Sequence, residues 1–242
     1  MEHTYEHSLK RIGNKSTVQQ IVDAILDAIM TKQWGPGTKI PTEFELAEMM
    51  AVSRNSVREA VKILDAMGIL EVRRSDGTYV ANGFSDRMLD PLIYSLVLER
   101  DKSKNLYELR RVIESGSIVL ASENCQPEEI ELLKDAVNKL IEELRKEPPS
   151  VKDVLAADIH FHDVIMQMTH NQLLQRINTS ITTVTYPARV ETLERNFRNG
   201  EIDFLVETHV RMAEKIISGT SDEISDLIGY SLSNWKETLK QH

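Results

Sequence analysis

Three helical stripes occupy residues 17 to 68, and the breaks between them are short; no other feature limits the possible folds of this chain as strongly. Val18, Ile21, Val22, Ile25 and Ile29 recur at helical spacing before Gly35-Pro36-Gly37 ends the pattern. After Ile40-Pro41, Thr42 is placed to cap a short helix carrying Phe44, Leu46, Ala47 and Met50. Glu43 and Glu45 fall in its first turn, where the helix dipole favours acids. Ala51-Val52 leaves room only for a tight turn before Ser53 caps a third helix, whose buried stripe is Val57, Ala60, Val61 and Leu64 and whose end is Gly68. Strand-like runs from Ile69 to Arg73 and from Thr78 to Val80 then flank Ser75-Asp76-Gly77, which predicts a β-hairpin.

Beyond Asn82-Gly83 the strand signals stop and long amphipathic patterns follow one another. The expected organisation is residues 1–82 as one domain and 83–242 as a second, mainly α throughout, the second an all-α antiparallel bundle. Its helices are expected near 86–99, 105–123, 127–146, 150–168, 171–185, 201–218 and 222–240. At 242 residues with 41% hydrophobic content, the chain can fill a core in each domain. A single cysteine, Cys125, precludes an internal disulfide, and no apolar run approaches the roughly 20 residues needed to cross a bilayer. With no signal-like start, the expected location is the cytoplasm and no membrane partner is expected.

A net charge of −9 argues against nucleic acid as a partner until its distribution is read. Residues 1–82 hold 10 Lys and Arg against 11 Asp and Glu, so the acidity is concentrated in the second domain. Opposite the buried stripe of the third helix, Arg54, Arg58 and Lys62 form one basic ridge, with Asn55 and Ser56 in its exposed first turn. Arg at such a helix end can take guanine bidentately, Asn can take adenine, and Ser can take either or a phosphate. Arg73 and Arg74 on the hairpin would meet backbone or minor groove beside it. Three charges alone read as a solvated face; a helix-turn-helix with a basic wing in register reverses that preference.

In the second domain, Asp158 and His162 interrupt the apolar face formed by Val154, Leu155, Ile159 and Ile165, one turn apart. His209 lies between Leu205, Val206, Met212 and Ala213. A carboxylate and imidazoles converging inside a bundle would suit a divalent metal ion. By spacing alone, a surface Asp158–His162 pair and a satisfied core histidine is the more economical reading.

Residues 16 to 82 resemble the winged helix-turn-helix of GntR-family transcription regulators, particularly the FadR subgroup. The resemblance rests on Gly37-Thr38-Lys39-Ile40-Pro41-Thr42-Glu43, on Leu46-Ala47, on Val52 through Ala60, on Gly68-Ile69-Leu70 and on Gly77-Thr78-Tyr79-Val80. It implies that Arg54, Asn55, Ser56 and Arg58 meet operator DNA and that Gly77 lies close to it. Phe44 stands where the family usually carries an Arg, which implies an operator unlike the common family sequence.

Residues 86 to 240 resemble that subgroup's helical effector domain, of the FCD type, through Leu109 to Glu114, Asp158-x-x-x-His162 with Phe161, Thr169 to Leu174, and Glu207-Thr208-His209. This resemblance implies a metal site formed by Asp158, His162 and His209, with zinc, manganese or nickel as the ion. It also implies Arg110 as the partner of a small carboxylate effector. Ser231 falls where the fourth ligand, a third histidine, is usual and is carried as an effector-side position.

The expected function is therefore a ligand-responsive transcription regulator, a homodimeric repressor that binds near-palindromic double-stranded operator DNA and is released by a small organic acid. Two other classes remain open at this point. An Asp-His-His centre could activate water in a metal-dependent hydrolase, although no general acid or nucleophile accompanies it, or the ion itself could be the signal sensed.

Overall fold

The computed structural model describes residues 15–83, 86–88 and 102–239. The chain divides into two compact units, residues 1–90 and 91–242. In the first, α1 (Thr17–Met30), α2 (Glu43–Met50) and α3 (Arg54–Ala66) are followed by the strands β1 (Leu70–Arg73) and β2 (Gly77–Val80). Ile21, Val22 and Ile25 of α1 meet Leu46, Ala47, Val57, Ala60, Val61 and Leu64, with Leu70 and Val80 closing the core from the hairpin.

The starts of α2 and α3 follow the caps read from the sequence, and Ser16 adds a third cap at α1. Ser16, Thr42 and Ser53 accept from the backbone N–H three residues on, and Thr42 with Glu45 completes a reciprocal capping box. Ala51 takes a left-handed conformation (φ 53°), and this makes the turn between α2 and α3 tight. The hairpin has a three-residue loop, Arg74 to Asp76, with Arg73 opposite Gly77, so Gly77 begins β2 and Ser75 carries the positive φ. The segment after Gly37 also pairs with the wing: Ile40 N–H donates to Thr78 O and Val80 N–H to Thr38 O. That third, isolated pairing is too short to leave a period in the sequence.

The second unit is all-helical in its described residues: α4 (Lys102–Asn124), α5 (Pro127–Leu144), α6 (Val151–Met168), α7 (Gln172–Asn199), α8 (Ile202–Ser218), α9 (Ile224–Ser231) and α10 (Ser233–Leu239). Helix α6 packs against α4, α5 and α7. One core layer joins Ile118, Leu133, Phe161, Ile165, Met212 and Ile228; another joins Leu140, Leu144, Leu155, Leu193 and Leu205.

Two expectations need correction. The helix expected over 171–185 extends to Asn199, straight through Pro187, and ends at a left-handed Gly200 (φ 72°). An interior proline removes one backbone hydrogen bond and crowds the preceding turn, at about 3 kcal/mol, and the packing of α6 and α10 on α7 offsets that cost. The final pattern, 222–240, is two helices that break at Leu232. Of the helix expected near 86–99, only a 3₁₀ turn at Asp86–Met88 falls within the described residues.

Candidate functional site

Within the second unit, the core opens into a cavity of about 60 Å³. This is room for a few waters or a small polar group. Helix α6 contributes Asp158 and His162, α8 contributes His209, α4 contributes Arg110 and Glu114, and α7 contributes Arg189, Thr192 and Asn196; Ser231, Asn234 and Trp235 close the remaining side. The three residues expected to hold a metal do converge: one ligand atom from each of Asp158, His162 and His209 lies within 4.8 Å of the other two.

Their electrostatics follow from burial and mutual contact. Burial raises the Asp158 carboxyl, but the His209 hydrogen bond and the nearby His162, His209 and Arg189 charges outweigh it and hold Asp158 far below the usual carboxylate range. His162 is pushed down to about 4 by burial, against the opposing pull of Asp158 and Glu114, so it is neutral at pH 7 with a lone pair available. Burial lowers His209, but the hydrogen bond and charge of Asp158 win and raise it.

A resident cation is tested by the hydrogens around His209. Its Nδ1 is 2.7 Å from Leu205 O and donates there, which leaves Nε2 as the acceptor in the neutral ring. That same Nε2 stands 3.0 Å from Asp158 Oδ1, a second acceptor. Two lone pairs at this separation need a positive charge between or beside them, either a proton on the ring or a metal ion. The mixed nitrogen and oxygen donor set suits a divalent ion of the zinc, manganese or nickel type. The residues present therefore fit a three-ligand site.

Arg110 is buried and gives both Nε (2.9 Å) and Nη2 (2.6 Å) to Glu114 Oε1, with its guanidinium carbon 4.6 Å from the Trp235 ring centroid. Sequence reasoning missed Arg189. Its Nη1 donates to Asp158 Oδ2 at 3.0 Å, its Nη2 stands 3.8 Å from Glu114 Oε1, and its Nε donates to Thr185 Oγ1 at 3.2 Å. One guanidinium thus ties together the two buried carboxylates of the cavity. Burial and the Arg110 charge lower Arg189, and both carboxylates oppose this. Glu114 is raised by burial but held low overall by Arg110, His162 and Arg189.

In the first unit, Arg54, Asn55, Arg58 and Lys62 are exposed along α3, Ser56 is half-buried, and Arg73 and Arg74 are exposed at the wing. The Ser56 backbone N–H and hydroxyl both engage Ser53 Oγ, at 3.1 and 2.9 Å. Arg58 Nε donates to Glu43 Oε2 at 3.1 Å, Lys62 pairs with Glu59, and Arg73 pairs with Glu71 while stacking 4.2 Å over Tyr79. Such exposed pairs are worth at most about 1 kcal/mol each, so a phosphate or base edge can take the cation over. Gly77 has φ 140°, and a Cβ there would lie 2.6 Å from Lys39 Cε.

Residues 17–80 match the family described as "Bacterial regulatory proteins, gntR family", and residues 105–234 match the FCD domain. The chain belongs to the GntR family, with an FCD domain. The GntR-family regulators similar to it include HTH-type transcriptional regulator LutR of Bacillus subtilis (strain 168), 27% identical over 84% of this chain and 92% of that protein. Another is the Galactonate operon transcriptional repressor of Escherichia coli (strain K12), 28% identical over 68% of this chain and 72% of the relative. Among solved structures, Streptococcus agalactiae GntR aligns with a TM-score of 0.53 at 27% identity, over 91% of this chain and 99% of that one. This GntR-family chain is a transcription regulator with a DNA-binding winged helix-turn-helix and an effector-binding helical domain, and the hydrolase reading is set aside. Among the described residues, no helix is long and apolar enough to cross a membrane.

Proposed function

We propose that this regulator is a homodimeric repressor whose residues 1–82 read a near-palindromic operator and whose residues 83–242 release it on binding a small hydroxy acid. One observation carries the reading. Asp158, His162 and His209 converge on the same buried cavity as Arg110 and Arg189, so metal-type donors and guanidinium groups share one small polar site.

Asp158, His162 and His209 would hold a divalent cation, which would supply open coordination positions for an effector oxygen. Without it, a proton on His209 joins two arginines against Asp158 and Glu114; with it, a divalent charge takes the place of that proton and enlarges the excess of positive charge that a carboxylate neutralises. Arg110, stacked on Trp235, presents a planar fork suited to carboxylate geometry. Amide and hydroxyl groups of Asn196, Thr192 and Ser231 line the same cavity and suit an acid that carries hydroxyls. A relative named for the galactonate operon supports the same class of ligand. The effector acts on DNA binding only through a difference in its affinity for the bound and released states, which the repacking of the helices around Arg189 would provide.

The test is calorimetric titration of L-lactate, D-galactonate, succinate and citrate into the purified protein, before and after chelation, beside Arg110→Ala and His209→Ala. A saturable heat with one of these acids is expected. It should vanish in both variants and after chelation, and the same acid should release bound DNA. Binding that survives chelation would remove the metal from the reading, and DNA release by zinc or manganese alone would make the ion the signal.

A further inference from the structure

We infer that Phe44 reads DNA directly, by packing its ring on the 5-methyl group of a thymine in the major groove while orienting Arg54. The inference rests on the operator-binding reading of α3.

The first turn of α2 lies beside the first turn of α3. Glu43 and Phe44 project from the start of α2, and each meets an arginine of α3: Glu43 pairs with Arg58 at 3.1 Å, and the Phe44 ring lies 5.7 Å from the Arg54 guanidinium carbon. The side chains that approach DNA from α3 thus share their surface with α2. Phe44 sits among them with 50% of its surface exposed, while Leu46 and Ala47 of the same short helix enter the core. The capping box on Thr42 and Glu45 fixes the backbone that carries it. An exposed phenyl in that position gains nothing from phosphates, and the base edges in the major groove are polar apart from the thymine methyl. That methyl is the apolar group a phenyl at this place can bury.

The contact with Arg54 has a second effect. At 5.7 Å from the ring centroid the Arg54 guanidinium is within cation–π range, which favours this orientation and leaves its donors able to take guanine bidentately. Phe44 thereby acts twice: as a reader of thymine and as a positioning residue for Arg54.

The full-length protein selects duplexes from a random pool, and the enriched sequence supplies the probe. Each thymine of one half-site is then replaced by deoxyuridine, which lacks the methyl and keeps every hydrogen-bonding group. One position is expected to weaken binding about fourfold, the loss of one buried carbon. Phe44→Ala should bind thymine and uracil probes equally, and Phe44→Leu should restore part of the difference. Uracil tolerated at every position, or the same thymine preference in Phe44→Ala as in the unaltered protein, would overturn the inference. Failure to enrich any sequence would instead remove the operator-binding reading and the inference with it.

Discussion

Replacing Arg189 with alanine is expected to lower the unfolding midpoint of the helical unit by roughly 10 °C, from a loss of about 3–5 kcal/mol. Arg189 is itself buried, at 6% exposure, and supports Asp158 and Glu114 in the cavity wall. Truncation leaves Asp158 Oδ2 without its guanidinium donor and strips Glu114 of one of two nearby cations. The loss should fall near the lower bound, because His209 still serves Asp158 and Arg110 still serves Glu114. Added zinc should stabilise Arg189→Ala by more than it stabilises the unaltered protein, since a divalent cation can replace the missing charge beside Asp158. Thermal denaturation with and without metal measures both effects. An unchanged midpoint would mean that the pair is not desolvated in solution, and equal stabilisation by metal would mean that Arg189 and the cation do not compensate the same carboxylate.

The second large effect belongs to α3. Arg54→Ala should weaken operator binding by about 1–3 kcal/mol, with the loss concentrated at one guanine. Lys62→Ala, two turns further along the same ridge, should weaken all sequences alike and lower the salt slope by about 1. The two differ in position: Arg54 is the first residue of α3 and Lys62 is well inside it. Fluorescence anisotropy over a salt series, with single-base variants of the selected duplex, separates the two behaviours. If both variants lose affinity uniformly across sequence, the start of α3 grips backbone and base readout must come from elsewhere on the domain.

The sequence showed the winged helix-turn-helix well because its signals are local and consistent: Thr42 and Ser53 cap, Gly35-Pro36-Gly37 stops, and apolar stripes alternate with charged faces. Asp158, His162 and His209 were legible for the opposite reason, as polar groups standing in otherwise apolar faces. Arg189 had no such contrast. The buried face of α7 is itself polar, with Asn178, Thr185, Arg189, Thr192 and Asn196 buried at spacings of seven, four, three and four residues. Apolar periodicity therefore fails over this helix, and a stripe facing the cavity reads as one facing water. Pro187 adds a false stop two residues before the arginine. The signal that remained was the spacing itself, a heptad-like rhythm written in polar residues. Glu114 was passed over as the tail of an arginine-bearing motif, although its place four residues after Arg110 put the two on one face.

That same polar stripe separates two tasks that most helices combine. The fold of the helical unit rests on apolar side chains from α4, α5, α6, α8 and α9, and α7 adds only Ile181 and Leu193 to the buried hydrophobic residues. Four of its buried polar positions, Thr185, Arg189, Thr192 and Asn196, lie on the wall of the cavity or hydrogen-bond to it. One strip of one helix thus supplies a large share of the polar cavity wall, beside Arg110, Glu114, Asp158, His162 and His209 from its neighbours, on a scaffold assembled largely by other residues. On the proposed reading, a change of inducer can be sought by randomising Thr185, Thr192 and Asn196 alone, a change that leaves the buried Arg189, the metal-type donors, the hydrophobic interior and the DNA reader untouched.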